Sequence, residues 1–150
     1  MTSQVTLSAV LEFFEKAVPE PTETNFLVQL GCHFEEIEEL LHELDCKSPV
    51  GDMLIRDAIV SVGLLADYLK NASNPVDIVD RTKFLDALCD QIVTATGSAY
   101  MAGMNIEQGI DEVARSNLSK FDAEGNPIFN EQGKIMKGPD YRPADLQLFV

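Results

Sequence analysis

Four carboxylates stand close together in the run Glu35-Glu36-Ile37-Glu38-Glu39, and their spacing decides which chemistry they could support. On a helix that advances about 100° per residue, Glu35, Glu36 and Glu39 share one face, and Glu38 lies outside it. Like charges this close repel, unless a divalent cation such as Mg²⁺ binds between them through oxygen ligands. By itself the run is weak evidence for a metal site, because an acidic helix face is usually just solvated.

A second acidic pair, Asp86 and Asp90, lies in the segment KFLDALCDQIV with one helical turn between the two residues. On this helix Leu88, Ile92 and Ala95 fall on the opposite side. Two acidic faces on neighbouring antiparallel helices could form one pocket of four or five carboxylates. The pair is equally compatible with ordinary surface residues that flank a core stripe.

The segment NLSK contains two further polar residues of interest, Asn117 and Lys120. Together they could provide a charge for a phosphate oxygen and an amide for a base or sugar. The pattern alone favours a simpler interpretation, since lysine is stabilising at the C-terminal end of a helix.

Helical periodicity accounts for most of the chain and predicts an all-α helical bundle. The five expected helices are Leu7–Ala17, Asn25–Leu44, Asp52–Lys70, Val76–Met101 and Ile106–Lys120. We expect Pro19 and Pro21 to end the first helix, Thr24 or Asn25 to cap the second, and Asn71–Pro75 to form a loop.

After Phe121 the character of the chain changes to closely spaced turn dipeptides, which predict a loop-rich arm. A short hairpin is expected around Ile128-Phe129 and Lys134-Ile135-Met136. We therefore interpret residues 1–150 as a single domain with a helical core, 1–120, and a C-terminal arm, 121–150.

Two of the helices carry notable apolar faces. The second helix has an expected core stripe of Ile37, Leu40, Leu41 and Leu44, opposite its acidic face. The third is apolar round much of its circumference, over residues 53–69. One small bundle offers a helix only one inner side, so we expect a homo-oligomer, either a dimer or a tetramer.

Composition excludes several classes of protein. There are 25 acidic residues against 11 basic ones, a formal charge of −14, which disfavours nucleic-acid binding. No apolar run approaches the roughly 20 residues of a membrane span, and Met1 to Val10 lacks the features of a signal peptide. Three cysteines without a CxxC pair favour a reducing compartment, and we expect the cytoplasm.

The motifs taken in order resemble a known superfamily, the all-α nucleotide pyrophosphohydrolases. It includes MazG, the dimeric dUTPases and the phosphoribosyl-ATP pyrophosphohydrolases, and the chain is most similar to the MazG-like, dUTPase-like proteins. The resemblance rests on EExxE, LCD, NLSK and the tail KGPDYRPADL, and it runs from about Phe26 to Leu146.

This resemblance implies that a nucleoside triphosphate is cleaved to the monophosphate and pyrophosphate, in nucleotide-pool sanitation or as a dUTPase does. Water would attack the α-phosphorus with help from Mg²⁺, or Mn²⁺ as the alternative metal. Glu36 is our choice for the carboxylate that orients or deprotonates the water. The implied metal ligands are Glu35, Glu36, Glu39, Asp86 and Asp90. The implied nucleotide contacts are Asn117, Lys120, Lys134, Lys137 and Tyr141.

In one place the chain departs from the pattern of the family, which usually has Glu-x-x-Asp on the second acidic helix. The position three before Asp90 is Ala87, and Asp86 lies one residue earlier in the chain. Either Asp86 replaces the missing ligand, or water does. The departure also leaves open an alternative, a MazG-fold nucleotide-binding or regulatory module that is catalytically weak or inactive.

A rival metal chemistry, a di-iron carboxylate bundle, is suggested by Glu39-Leu40-Leu41-His42. Such sites need Glu-x-x-His on two helices. The only other histidine, His33, is preceded by Val28–Cys32 and gives no second copy.

Overall fold

The computed structural model describes residues 3–71 and 76–150, with the side chains from residue 7 onward in those ranges. Its α-helices there are α1 (Ser3–Ala17), α2 (Glu23–His42), α3 (Pro49–Asn71), α4 (Arg81–Met101) and α5 (Ile106–Leu118). A loop-rich arm with one 3₁₀ turn, Gln147–Phe149, follows them. The predicted all-α fold of five helices and a C-terminal arm is confirmed. No described helix is both long enough and apolar enough to cross a membrane.

The start of α2 differs from the expected one, because Thr22 is its N-cap rather than Thr24 or Asn25. The Thr22 hydroxyl accepts a hydrogen bond from the Asn25 amide at 3.2 Å. In return, the Asn25 side chain accepts one from the Thr22 amide at 2.9 Å. This reciprocal capping box satisfies two backbone donors and fixes the first turn of the helix.

The start of α4 also differs, since the helix begins at Arg81 and not at Val76. The Asp80 carboxylate accepts hydrogen bonds from the amides of Thr82 and Lys83 at 3.0 and 3.1 Å. An aspartate that caps in this way lies just outside the helix, with extended backbone. The predicted loop Asn71–Pro75 falls almost entirely outside the described residues.

The chain divides into two compact units. The first contains α1, α4, α5 and most of the arm, and the second contains α2, α3 and the segment Phe129–Lys134. The sequence-based assignment of all 150 residues to one domain stays a prediction.

In the first unit the buried core lies between α1 and the end of α5. The rings of Phe13 and Phe121 are stacked, with 5.3 Å between centroids and 6° between planes. Ala17 is buried beside them, and Phe14, Val18, Leu118 and Ile135 pack around this group. Stacked aromatic rings bury a large apolar area, so this cluster holds the first residues of the arm against α1.

In the second unit α2 packs along α3, and Leu27, Val28, Gly31, Ala66 and Leu69 are buried. The two helices approach most closely at Gly31. A Cβ atom there would lie 2.9 Å from the carbonyl oxygen of Ala66. Only glycine allows this spacing, because a side chain would push one backbone away from the other.

The expected core stripe of α2 is not its buried side in this chain. Leu40 and Leu44 are 59% and 52% exposed, whereas Ile37 and Leu41 are half-buried. The close approach at Gly31 turns a different face of α2 towards α3, and that face includes Glu35.

The arm makes the expected short hairpin through two hydrogen bonds. The Met136 amide donates to the Ile128 carbonyl at 2.6 Å, and the Asn130 amide donates to the Lys134 carbonyl at 2.9 Å. Gly133 occupies the left-handed region, with φ of +81°, which the tight turn requires.

Candidate metal and phosphate site

Glu35 lies between two lysines that come from distant parts of the chain. Its Oε1 accepts a hydrogen bond from the Lys70 ammonium at 3.0 Å, and its Oε2 accepts one from Lys134 at 2.8 Å. Glu35 and Lys70 are 27% and 14% exposed at their side chains, and Lys134 is 43% exposed. Hydrogen bonds between ionised groups are stronger than neutral ones, and partial burial reduces their screening by salt.

The pKa values within this group move in the directions that ion pairing dictates. The hydrogen bond from Lys134 is the main reason why the pKa of Glu35 lies below its usual range. The same bond raises the pKa of Lys134. Burial is the largest influence on Lys70 and opposes its charged form, but the hydrogen bonds and charges of Glu35 and Asp67 together outweigh burial and raise the pKa of that lysine. All three groups are therefore charged at neutral pH.

A thiol beside this group is an unsuitable metal ligand. Burial raises the pKa of Cys32, so the thiolate that would bind a metal is disfavoured.

The turn Asn130–Lys134 presents Lys134 to Glu35. The Asn130 side chain accepts hydrogen bonds from the amides of Gln132 and Lys134 at 3.0 and 2.8 Å. The Gln132 side chain donates to the Asn71 side chain at the end of α3, at 2.6 Å. An asparagine that bonds its own turn pre-organises the backbone, so the lysine is delivered from an ordered segment.

Glu36 and Glu39 are exposed on α2, and Asp86 and Asp90 are exposed on α4. Among the residues with described side chains, no three His, Cys, Asp or Glu form a group that could hold a metal ion. Of the predicted site residues, the second unit contains Glu35, Glu36, Glu39 and Lys134. The first unit contains the other six, which are Asp86, Asp90, Asn117, Lys120, Lys137 and Tyr141.

The predicted nucleotide contacts of the first unit gather where α5 ends and the arm returns. Asn117 and Lys120 are half-buried there. The Gly138 amide donates to the Lys120 carbonyl at 2.9 Å, and the Lys137 ammonium lies 4.9 Å from the centre of the Tyr141 ring. A cation over an aromatic face is attracted by its electrons, which holds the two side chains together.

A polar clamp fixes the arm against α5. Ser116, buried within the helix, donates from its hydroxyl to the Arg142 carbonyl at 2.8 Å. The Arg115 guanidinium donates to the Pro143 carbonyl at 3.1 Å, and the Asp145 amide donates to Glu112 at 3.0 Å. The segment 142–145 is therefore held by side chains of α5.

Sequence reasoning did not identify this clamp, nor the part played by Lys70. Lys70 lies in the last turn of α3, where a lysine has an ordinary electrostatic role, and nothing local distinguishes it. Ser116 is buried on this amphipathic helix, but its burial is seen in the structure and is no signal in the sequence.

Comparison with solved structures finds a similar fold in a bacterial protein. That crystal structure is described as "a putative NTP pyrophosphohydrolase" from Exiguobacterium sp. 255-15. It is 21% identical in sequence, with a TM-score of 0.61 over 92% of this chain and 88% of that one. The likeness shows the fold. No family model and no curated protein matches the chain.

The donor chemistry of α2 fits Mg²⁺ at two of its three candidate ligands. Mg²⁺ sites commonly use one or two carboxylates, with waters and substrate phosphates completing the shell. Glu36 and Glu39 are exposed and three residues apart, so their carboxylates lie on neighbouring parts of the helix surface. Glu35 fits less well, because each of its oxygens already accepts a hydrogen bond from a lysine.

Proposed function

We propose that this chain is a Mg²⁺-dependent nucleoside triphosphate pyrophosphohydrolase, which cleaves a ribo- or deoxyribonucleoside triphosphate to the monophosphate and pyrophosphate. The observation that carries the proposal is the pairing on α2 of exposed carboxylates, Glu36 and Glu39, with the lysine-bound Glu35. Such a surface offers both a place for a hard cation and ammonium groups for a triphosphate. The fold likeness and the order of the sequence motifs support the same reaction.

The roles of the residues follow from their chemistry. Glu36 and Glu39 would hold Mg²⁺ on α2. Asp86 and Asp90, which belong to the first unit, remain predicted metal ligands. When bound, Mg²⁺ neutralises phosphate charge and lowers the pKa of a coordinated water. Glu36 orients the attacking water or takes its proton, and the bond between the α-phosphorus and the bridging oxygen breaks as pyrophosphate leaves.

The remaining predicted contacts bind the nucleotide rather than react with it. Lys134 donates to phosphate oxygens in the second unit. Lys120 and Lys137 have the same role in the first, with Asn117 and Tyr141 as contacts for the base or sugar. Lysine provides a compact positive charge with three donors, so several of them can offset the negative charge of this protein locally.

We further propose that the protein works as a homodimer or homotetramer in the cytoplasm. In support, several apolar side chains of α3 are exposed, among them Leu54 at 59%, Val60 at 61% and Leu64 at 67%. Contiguous apolar surface of this kind usually marks an interface. The free cysteines Cys32, Cys46 and Cys89 accord with a reducing compartment.

The direct test is pyrophosphate release from a panel of nucleoside triphosphates with Mg²⁺ or Mn²⁺ and in the presence of a chelator. We expect metal-dependent release from at least one nucleotide, and its loss in Glu36→Gln and Glu39→Gln. Each substitution removes a charge from a repulsive cluster, so the metal-free variants should be at least as stable as wild type. Near-normal turnover by either variant at saturating Mg²⁺ would disprove the metal assignment.

A second candidate function is favoured by Ala87, which replaces a usual metal ligand of the family that the sequence resembles. In that case the chain binds nucleotides without cleaving them. The same panel separates the two functions, since a binding module would be stabilised against heat by a nucleotide and would release no pyrophosphate.

A further inference from the structure

The carboxylate of Glu35 takes part in an alternating row of charges. Asp67 lies 3.5 Å from Lys70, Lys70 lies 3.0 Å from Glu35, and Glu35 lies 2.8 Å from Lys134. Every neighbour in this row has the opposite charge, and the row ends at the ammonium of Lys134. Glu35 is thus already neutralised by the protein itself.

Lys134 is suited to reach a ligand from the end of this row. An ammonium group has three donors, and the bond to Glu35 uses one of them. The side chain of Lys134 is 43% exposed, whereas that of Lys70 is 14% exposed. Lys70 is therefore the inner counter-charge, and Lys134 is the lysine that can donate to an incoming anion.

The backbone around Lys134 is arranged for this task. Asn130 orders the turn, Gly133 permits its left-handed residue, and Gln132 bonds the turn to Asn71. Without Glu35 the ammonium would lose the acceptor that fixes its direction, while the turn itself would remain. Glu35 thus acts on the orientation of the lysine rather than on the fold of the turn.

A dication at Glu35 would have to share that carboxylate with two ammonium groups at hydrogen-bond distance. Three positive groups around one carboxylate repel each other, and the ion would also lose solvating water. Both of these lysine bonds are made to Glu35. The arrangement separates a helix surface for the cation from a neighbouring one for an anion.

We propose that Glu35 is a positioning residue that aligns Lys134 for the triphosphate, and that it is not a metal ligand. The inference rests on the proposed function, because it assigns a role within the same site. It narrows the metal ligands of α2 to Glu36 and Glu39.

Direct metal binding tests the first half of this inference. Mn²⁺ binding is measured by electron paramagnetic resonance without nucleotide, in Glu35→Gln, in Glu39→Gln and in the matched control Glu43→Gln at the C-cap of the same helix. We expect Glu35→Gln and the control to bind Mn²⁺ with wild-type affinity, and Glu39→Gln to bind it at least about tenfold more weakly. Equal weakening in Glu35→Gln and Glu39→Gln would overturn the proposal.

Nucleotide binding tests the second half. With a non-hydrolysable triphosphate, we expect Glu35→Gln and Lys134→Met each to weaken binding about tenfold, and Lys134→Arg to restore much of it. The double variant should bind about as well as Lys134→Met alone, because both changes remove one interaction. In pyrophosphate-release assays, both single variants should have a higher KM than wild type and a nearly unchanged kcat. General destabilisation of the protein would not produce this combination. Additive losses, or unchanged affinity in both single variants, would refute the role of Glu35.

If Glu35→Gln does not fold, Mn²⁺ binding by Lys134→Met still tests the proposal. If Glu35 is no metal ligand, removing the lysine should leave Mn²⁺ affinity unchanged. A tenfold tightening would show that lysine and metal compete for Glu35 and would overturn the inference. Failure of the proposed function is seen separately, as a wild-type protein that binds Mn²⁺ and the analogue but releases no pyrophosphate. A wild type that binds neither ligand overturns both proposals.

Discussion

The guanidinium of Arg115 and the carboxylate of Glu112 form a two-pronged ion pair on α5, with N–O distances of 2.8 and 2.7 Å. The same carboxylate accepts the Asp145 amide, and the same guanidinium bonds the Pro143 carbonyl. One pair of side chains thus holds two backbone groups of the arm.

The pH dependence of this clamp follows from Glu112. The hydrogen bonds from Arg115, and then that from Asp145, lower its pKa from 4.5 to about 2. A carboxylate with a depressed pKa stabilises the folded state above its unfolded value, and this contribution is lost as pH falls through the folded one. We expect Glu112→Gln to melt below wild type by a constant difference above about pH 5, which shrinks between pH 4.5 and 2. Thermal melts across pH 2 to 7 measure it, and a difference that does not change with pH would contradict the assignment.

The capping box of α2 predicts a second difference in stability. Thr22→Ala removes the side chain that accepts the Asn25 amide, and loss of an N-cap costs about 1 kcal/mol. Thr24→Ala is the matched control, because Thr24 is exposed within the helix and alanine is a better helix former. Urea unfolding should show destabilisation in the first variant and none in the second. Equal effects would mean that Thr22 is not the cap.

The helix bounds and caps show how much of the fold local sequence pattern can predict. All five helices begin or end within a few residues of their predicted bounds, because periodicity and turn residues act over short distances. The exact caps, Thr22 and Asp80, depend on which polar side chain bonds which amide, and spacing alone does not decide it.

The pairing at Glu35 was beyond sequence reasoning for a different reason. Lys70 and Lys134 are 35 and 99 positions away, and no local signal links them to one carboxylate. EExxE predicted a charged helix face, but not that the first glutamate of the motif would be bound by lysines. The exposure of Leu40 has a similar origin, since the packing of α2 depends on Gly31 meeting α3.

A third prediction concerns the acidic pair of α4. Asp86, Ala87 and Asp90 are all exposed on that helix, so substitutions there should leave stability nearly unchanged. If Asp86 replaces the missing ligand, Asp86→Asn should weaken Mg²⁺ dependence, though less than Asp90→Asn if it acts through a water. If the ligand is absent, Asp86→Asn should be silent, and Ala87→Glu should tighten Mg²⁺ binding. Wild-type Mg²⁺ titrations in all three variants would show that this helix holds no metal.

A fourth prediction concerns the exposed stripe of α2. A charge at Leu40, which is 59% exposed, should hardly disturb the single chain but should oppose an apolar interface. We expect sedimentation at micromolar concentration to show a dimer or tetramer for wild type, and a dissociation constant raised at least about tenfold in Leu40→Glu. The exposed Gln29→Glu on the same helix adds the same charge as a control. A wild-type monomer of 16.5 kDa would rule out the oligomer.

The close packing at Gly31 limits which inherited variants of the gene can encode a working protein. A side chain there would meet the backbone of Ala66 at 2.9 Å and that of Lys70 at 3.0 Å, so the helices would have to separate. Glu35 lies one turn after Gly31 on α2 and is bonded by Lys70 of α3. A single codon change at position 31 would therefore impair both the helix packing and this ion pair. Most alleles at this position should therefore be lost in a selection for the protein, although the residue itself has no side chain to take part in any reaction.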